Sequence, residues 1–167
     1  QPIIVKPDEH YPIYGIPNLY VEVLKAYHNT ETVGYGFYTK KRKLKKEYQN
    51  KTKQEIIDAK KNNMEIDTEV INYEVVYFCD STIHNLEYHY EWKKYKVIIC
   101  ECTEFPEKHN VENDREHTHL TSLERILKLN NTKQWILIHT SSAVKKDIIL
   151  QHENRLRKCN IDVTFVI

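Results

Sequence analysis

The 167-residue sequence contains no apolar run approaching the length of a membrane-spanning helix, and it shows no secretory signal peptide. It has almost no charge imbalance, because 25 Lys and Arg residues stand against 24 Asp and Glu residues, so no global field marks nucleic acid or a membrane as its partner. Internal repeats and low-complexity linkers are also missing. We therefore expect an intracellular protein without a membrane partner, whose residues 1–167 form a single domain.

The four cysteines lack the paired C-x-x-C spacing of a zinc ribbon. Cys100 and Cys102 could form a metal clip, but alternation along a strand sends both sulfurs to one face, where cysteine is commonly buried. A structural role is therefore favoured over metal binding for these two residues, and for Cys79 and Cys159. A reducing compartment is the simpler inference.

The first fifty residues have the pattern of β-structure. In residues 19–26 the side chains alternate between the two faces of a predicted strand. The segment 34–38 is short and aromatic and contains two glycines. The region before residue 19 carries four prolines, which confine it to extended or looping backbone: Pro2, Pro7, Pro12 and Pro17.

A basic segment covers residues 40–62 and is predicted to be helical. Thr52 and Glu55 have the spacing of a capping box, which opens a helix to about Asn62. Such a charge run is either a solvated face or a site of contact with phosphates, since clustered cations gain from counterion release. Six cations lie within seven residues: Lys40, Lys41, Arg42, Lys43, Lys45 and Lys46.

From residue 70 onward, predicted strands alternate with helices. Apolar strands such as residues 97–99 lack polar alternation, as expected when helices cover a sheet. The pattern predicts an α/β fold with right-handed crossovers, and Thr121 with Glu124 offers a second capping box. Strands are predicted at residues 69–79, 96–102, 134–140 and 162–167, and helices at 84–93, 121–129 and 144–158.

Acidic and histidine side chains follow the predicted strands. Asp80 closes the apolar run 75–79 and His139 closes the run 135–138, with His117 upstream of the latter. Open α/β sheets build their sites beyond the carboxyl ends of strands. This placement predicts part of a metal-dependent hydrolase.

Six segments, taken in order, resemble a known family. Their order and spacing are similar to the second half of the ribonuclease Z branch of the metallo-β-lactamase fold, closest to its short, plant-type members. The resemblance covers residues 19–145 and implies the C-terminal half of an αββα sandwich, with a β-rich start followed by βαβ units. The segments are residues 27–36, 43–48, 78–82, 100–103, 116–120 and 136–141.

The resemblance also implies roles for five residues. His28 resembles the single histidine that joins the first zinc site, Asp80 the aspartate that bridges two metals, and His139 the last histidine, on the second zinc. Glu101 resembles the acid of the family's H-E-A-T segment. His117 resembles the histidine of H-S-T, which is thought to protonate the leaving oxygen.

The implied activity is a zinc-dependent endoribonuclease that processes the 3′ ends of tRNA precursors. Two zinc ions roughly 3.5–4 Å apart would supply an activated hydroxide and positive charge on the phosphoryl oxygens. Neutral imidazoles suit zinc, and a histidine kept off the metal stays free as an acid near neutral pH. The basic segment 40–62 would be a reduced form of the tRNA-gripping arm of longer relatives.

The sequence departs from this family near the centre of the site. The main metal motif, H-x-H-x-D-H, occurs nowhere in the chain. Cys79 replaces a glycine, Cys100 replaces a histidine, and residues 141–144 replace Ser-x-Arg-Tyr. Because three candidate ligands cannot hold two metals, we expect no tight zinc binding by this chain alone.

Two hypotheses follow from these departures. In the first, the chain is part of a longer or split enzyme, and the missing N-terminal half carries the remaining ligands; the first residue, which is not methionine, agrees with a piece of a longer polypeptide or with processing. In the second, it is a catalytically inactive scaffold or RNA-binding subunit of a ribonucleoprotein assembly.

Half of a sandwich would expose an apolar sheet face. A partner is therefore expected: the missing half, another protein, or a second copy in a homodimer.

Overall fold

The computed structural model describes residues 4–88, 90–108 and 116–167 of the chain. At its centre is a seven-stranded sheet whose strands lie side by side in chain order. The first four strands pair antiparallel, and the fourth to the seventh pair parallel. The strands are β1 (His10–Pro12), β2 (Leu19–Lys25), β3 (Val33–Leu44), β4 (Asp67–Tyr77), β5 (Val97–Glu101), β6 (Gln134–Ile138) and β7 (Asp162–Phe165).

Helices connect the parallel strands, which confirms the predicted α/β class. The predicted helix over residues 84–93 is wrong as a single element, because α2 ends at Tyr88 and a separate 3-10 turn covers Glu91–Lys94; position 89 lies outside the described residues. No described helix is both long and apolar enough to cross a membrane. The α-helices are α1 (Lys53–Lys61), α2 (His84–Tyr88), α3 (Leu120–Leu129) and α4 (Lys146–Lys158).

The basic run lies on a β-ribbon. Strand β3 continues to Leu44, and its last five residues pair with β4 from Asp67 to Ile71. The helical prediction for residues 40–46 was therefore wrong, and α1 begins only at Lys53. The acidic side chains of β4 provide the reason, because antiparallel pairing places them beside the cations of β3. Local sequence does not reveal such a pairing.

One face of the parallel strands is covered by helices. Successive right-handed crossovers between neighbouring strands put α2, α3 and α4 on the same side of the sheet. The strand residues that point to this side are buried, and they form one core with Leu123, Leu127 and Leu156 of the helices. These strand residues are Val76, Ile98, Cys100, Trp135, Leu137, Val163 and Phe165.

The opposite face of the same strands is apolar and only half-buried. Its side chains alternate along each strand with those of the buried core, as the period of two requires. They come from four adjacent strands, and the register aligns Tyr35, Tyr77, Ile99 and Ile136 in one row. The open face, as we call it, consists of Tyr35, Phe37, Val75, Tyr77, Val97, Ile99, Ile136 and Ile138.

The structure confirms the predicted capping box at the start of α1, but α3 has a different cap. Thr52 accepts a hydrogen bond from the Glu55 amide, while the Glu55 carboxylate accepts one from the Thr52 amide at 2.8 Å. The hydrogen bonds that the Thr52 amide and hydroxyl donate to the carboxylate lower the pKa of Glu55 to about 2. Thr121 does not cap α3; His119 does, because its Nδ1 accepts a hydrogen bond from the Thr121 amide at 3.1 Å. His119 is fully buried and has a structural role.

All four cysteines are free thiols. Cys100 and Cys102 are both buried in the core under the helices. Burial raises the pKa of the Cys100 thiol, which disfavours the thiolate needed for metal binding.

Candidate metal centre

Four loops meet at one edge of the sheet. The parallel strands β4, β5 and β6 all end there, so Asp80, Glu101 and His139 come together. The loop between β2 and β3 reaches the same edge, because β3 runs antiparallel to β4, and it carries His28. Sequence position alone predicts this convergence for the parallel strands, since their carboxyl ends share an edge.

A buried glutamate lies at the middle of this edge. Glu101 has no exposed surface, and its Oε2 lies 3.0 Å from Nδ1 of His117 and 3.3 Å from Nδ1 of His139. Its Oε1 accepts a hydrogen bond from the Thr118 amide at 2.5 Å. A buried carboxylate needs hydrogen-bond donors, and the two histidines and the Thr118 amide lie where they can supply them.

The glutamate in turn orients both imidazoles. Each ring directs Nδ1 to Glu101, which favours a proton on that nitrogen, so that in the neutral ring the lone pair is on Nε2. Carboxylates behind metal-binding histidines fix the tautomer in this way. The arrangement suits His117 and His139 to present Nε2 to a metal or a substrate.

Asp80 and His139 are direct neighbours. Asp80 Oδ1 lies 3.2 Å from His139 Nδ1, and both side chains are about half exposed. His139 has a φ of +58°, a left-handed conformation that non-glycine residues rarely adopt. The Thr103 hydroxyl donates to the His139 carbonyl at 2.8 Å and thereby holds this backbone in place. Such local strain clusters at functional sites.

His28 contributes an unsatisfied nitrogen. Its ring centre lies 5.9 Å from that of His117, which in turn lies 5.3 Å from that of His139. Nδ1 of His28 lies 3.3 Å from the Thr30 hydroxyl, whereas the buried Nε2 has no hydrogen-bond partner. A buried nitrogen of this kind is suited to bind an ion or a water molecule.

The loops of the centre are tied to one another by hydrogen bonds. The peptide of Tyr27 is held on both sides, because its amide donates to Asn85 Oδ1 at 2.6 Å and its carbonyl accepts from the Thr82 amide at 2.9 Å. The Thr118 hydroxyl donates to the Ser81 carbonyl at 3.2 Å. Sequence reasoning missed Asn85, Thr103 and Thr118, and no local pattern distinguishes them.

The electrostatic environment favours a protonated His117. Burial lowers the pKa of its imidazole, but the hydrogen bond to Glu101 and the charges of Glu101, Asp80 and Glu104 outweigh this effect. The pKa of His117 is therefore raised above its ordinary value of 6.5. More of the ring carries a proton near neutral pH than in an exposed histidine.

Three of the residues could hold a metal ion together. The ligand atoms of Glu101, His117 and His139 all lie within 4.8 Å of one another. Imidazole nitrogen and carboxylate oxygen are donors that zinc accepts, and the orphaned Nε2 of His28 adds a fourth donor to the same edge. The donor set thus fits zinc. The predicted ligand Asp80 contacts only His139 among these three. Glu101 is already hydrogen-bonded to both imidazoles, which suits it to orienting them.

The basic run does not join the centre. It lies at the far end of β3, roughly 30 Å from the edge at about 3.3 Å per strand residue. Three of its cations form ion pairs with acids: Lys40 with Glu69 at 3.3 Å, Arg42 with Asp67, and Lys45 with Glu65 at 2.7 Å. Lys41 and Lys43 point to the other face of the ribbon, and neither forms an ion pair with a described residue.

Comparisons with known proteins agree with this geometry. No protein-family model matches the sequence. The chain is 31% identical to tRNase Z TRZ1 of Arabidopsis thaliana over 129 residues. The matched stretch covers 75% of this chain and 46% of that protein. In structure, 98% of the chain matches 51% of the metallo-β-lactamase fold protein YhfI of Bacillus subtilis, with a TM-score of 0.51 and 16% identity. The chain is a ribonuclease Z-like protein of the metallo-β-lactamase fold.

A second solved structure, unliganded yeast PDE1, matches 98% of the chain at a TM-score of 0.46 and 15% identity. The ribonuclease Z-like chain spans about half the length of the proteins it matches, namely 46% of the Arabidopsis protein and 51% of YhfI. The similarity therefore concerns one part of those proteins.

Proposed function

We propose that this chain supplies one half of a zinc-dependent RNA phosphodiesterase. A second segment that carries H-x-H-x-D-H would complete the metal centre. The observation that carries the proposal is the buried Glu101 between two histidines, beside the orphaned Nε2 of His28. The similarity to a tRNase Z makes the 3′ side of a tRNA precursor the substrate of choice.

The residues divide into metal-holding and proton-handling groups. His28, Asp80 and His139 would hold zinc, which when bound supplies activation of water and charge neutralisation at the phosphoryl group. Glu101 would fix the orientation of His117 and His139. With its raised pKa, His117 would carry a proton on Nε2 and deliver it to the leaving oxygen.

The open face would receive the completing half. Its half-buried apolar side chains extend across four strands, and they directly adjoin the metal edge through Ile138, the residue before His139. Two sheets packed face to face bury such side chains between them. A second copy of this chain could cover the same face, but it would not contribute the missing ligands.

The decisive experiment is cleavage by a complemented complex. The chain would be purified together with a segment that bears H-x-H-x-D-H and incubated with a tRNA precursor that has a 3′ extension. We expect cleavage that is abolished by Asp80→Ala, because a carboxylate that would hold zinc is lost. His117→Ala should slow cleavage while the zinc content stays the same. Cleavage that persists in Asp80→Ala would refute this mechanism.

The second candidate function is an inactive scaffold or RNA-binding subunit. It is favoured by Cys79 and Cys100 near the centre, since Cys100 is buried under the helices and cannot replace a histidine at the edge. This function predicts a complemented complex that binds RNA and cleaves none.

A further inference from the structure

A row of aromatic side chains leads away from the metal centre. It begins at Tyr27, the residue before His28, whose ring packs edge-on against Tyr88 with centres 6.3 Å apart. The Tyr88 ring in turn stacks on His84 at 5.0 Å and an interplanar angle of 18°. Tyr88 is 62% exposed although it makes these two contacts, so one side of its ring faces solvent.

Beyond Tyr88 the row enters a groove of about 480 Å³ beside α3. Tyr90, which is 65% exposed, lines this groove, and Lys93 Nζ lies 4.3 Å from its ring centre. Exposed Leu129 also lines the groove. The groove therefore continues the aromatic row with two further apolar side chains.

Cations accompany the rings along the row. Lys25 Nζ lies 5.4 Å from the ring centre of Tyr27, and Lys93 covers Tyr90. Arg125 lines the groove and forms an ion pair with Glu87 at 2.8 Å. The Glu87 carboxylate also lies 3.4 Å from His84 Nδ1. Glu87 thus neutralises one of the three cations, and Lys25 and Lys93 remain over aromatic faces.

We propose that Tyr27, Tyr88 and Tyr90 form a binding strip for unpaired nucleotides of the RNA strand that reaches the metal centre. This inference rests on the proposed function. Exposed rings flanked by cations are the usual means of holding single-stranded RNA, because bases stack on the rings and phosphates contact the cations. Duplex RNA keeps its base faces stacked on one another, so the strip selects an unpaired end. Because the strip begins beside His28 at the candidate metal centre, RNA is favoured over a protein segment as its occupant.

The test measures the affinity of the purified chain for a short, fluorescein-labelled, single-stranded oligoribonucleotide. Tyr88→Leu and Tyr90→Leu should each weaken binding by roughly five- to hundredfold, as expected for the loss of one stacked base. Tyr14→Leu is the matched control, since Tyr14 is fully exposed on the turn after β1 and should leave the affinity unchanged. Circular dichroism would establish that the variants keep the fold.

Two results would overturn the strip. One is unchanged oligoribonucleotide affinity in both variants, or an equal affinity of the chain for a duplex of the same sequence. The other is loss of binding to the completing half with unchanged RNA affinity, which would identify a protein-docking surface. Cleavage that survives Asp80→Ala would instead refute the proposed function alone, because binding of the oligoribonucleotide is measured without metal.

Discussion

The side-chain oxygen of Asn85 accepts a hydrogen bond from the backbone amide of Tyr27 at 2.6 Å. The two residues are far apart in the sequence. Asn85 is buried, and its Nδ2 has no hydrogen-bond partner among the described residues, so its side chain bonds through the oxygen. This contact attaches the loop of His28 to the helix that follows Asp80.

We expect Asn85→Ala to destabilise the chain by about 1–3 kcal/mol, because the Tyr27 amide loses its acceptor. Thermal denaturation measures this change. The variant should also lower the zinc affinity of the complemented complex, since the His28 loop is no longer fixed. Asn130→Ala is the control: it removes a bond to the Ile126 carbonyl at the end of α3 and should leave zinc affinity intact. Equal zinc affinity in the two variants would contradict a positioning role for Asn85.

Glu101→Gln should reverse the direction of the His117 pKa shift in the metal-free chain. Glu101 raises the pKa, while burial lowers it, so removal of the charge should leave burial as the stronger effect and bring the pKa below 6.5. Histidine NMR titration measures both values. Glu124→Gln, which changes an acid paired with Arg155, should not move the titration. An unchanged His117 pKa in Glu101→Gln would show that the glutamate does not control the ring.

The raised pKa of His117 also sets a pH dependence of stability. A group with a higher pKa in the folded state stabilises the fold fully below its unfolded pKa, here about 6.5. This contribution is lost as the pH rises through the folded value. We therefore expect the wild-type chain to lose more stability than His117→Gln on going from pH 6 to pH 8, as measured by urea denaturation.

The two faces of the basic ribbon should differ in RNA binding. Lys41→Gln with Lys43→Gln should reduce the slope of log affinity against log salt by roughly 0.7–0.9 for each lost phosphate contact. Lys40→Gln with Arg42→Gln removes the same charge but should have the smaller effect, because Glu69 and Asp67 already neutralise these cations. If neither pair of substitutions changes the slope, the ribbon is a solvated surface.

Zinc should bind weakly to this chain alone and tightly to the complemented complex. The described residues of the edge offer too few donors for two metals, and His139 and His117 already share Glu101. Elemental analysis after chelation and re-addition tests this expectation. Two firmly held zinc ions per isolated chain would contradict it.

The sequence predicts the parallel part of the fold well because its strands are short apolar runs. Trp135 to Ile138 and Val97 to Ile99 can only be buried strands at that length, and the acid or histidine that follows each run necessarily reaches the shared edge. The same reasoning from local pattern gives the wrong structure for the basic segment. Alternating and helical patterns cannot be distinguished in a run of lysines, and the acids that make it a strand lie more than twenty residues downstream.

The supporting contacts of the centre were not predictable either. Asn85 and Thr103 act through backbone groups of Tyr27 and His139, which any residue provides. His119 is the cap of α3, because an imidazole can replace the usual hydroxyl or carboxylate acceptor. These roles depend on which residues are close in the folded chain, and the local sequence does not predict that proximity.

Strand order has a consequence for the nascent chain. Since each strand pairs with the strand made just before it, the sheet can grow on the ribosome without waiting for later sequence. His28, Asp80, Glu101 and finally His139 leave the ribosome in the order in which the edge is built. This chain's part of the candidate metal edge is then assembled while Trp135 and Leu137 still lack the cover of α4. Synthesis that stalls after β6 would therefore release these residues on an exposed, aggregation-prone core.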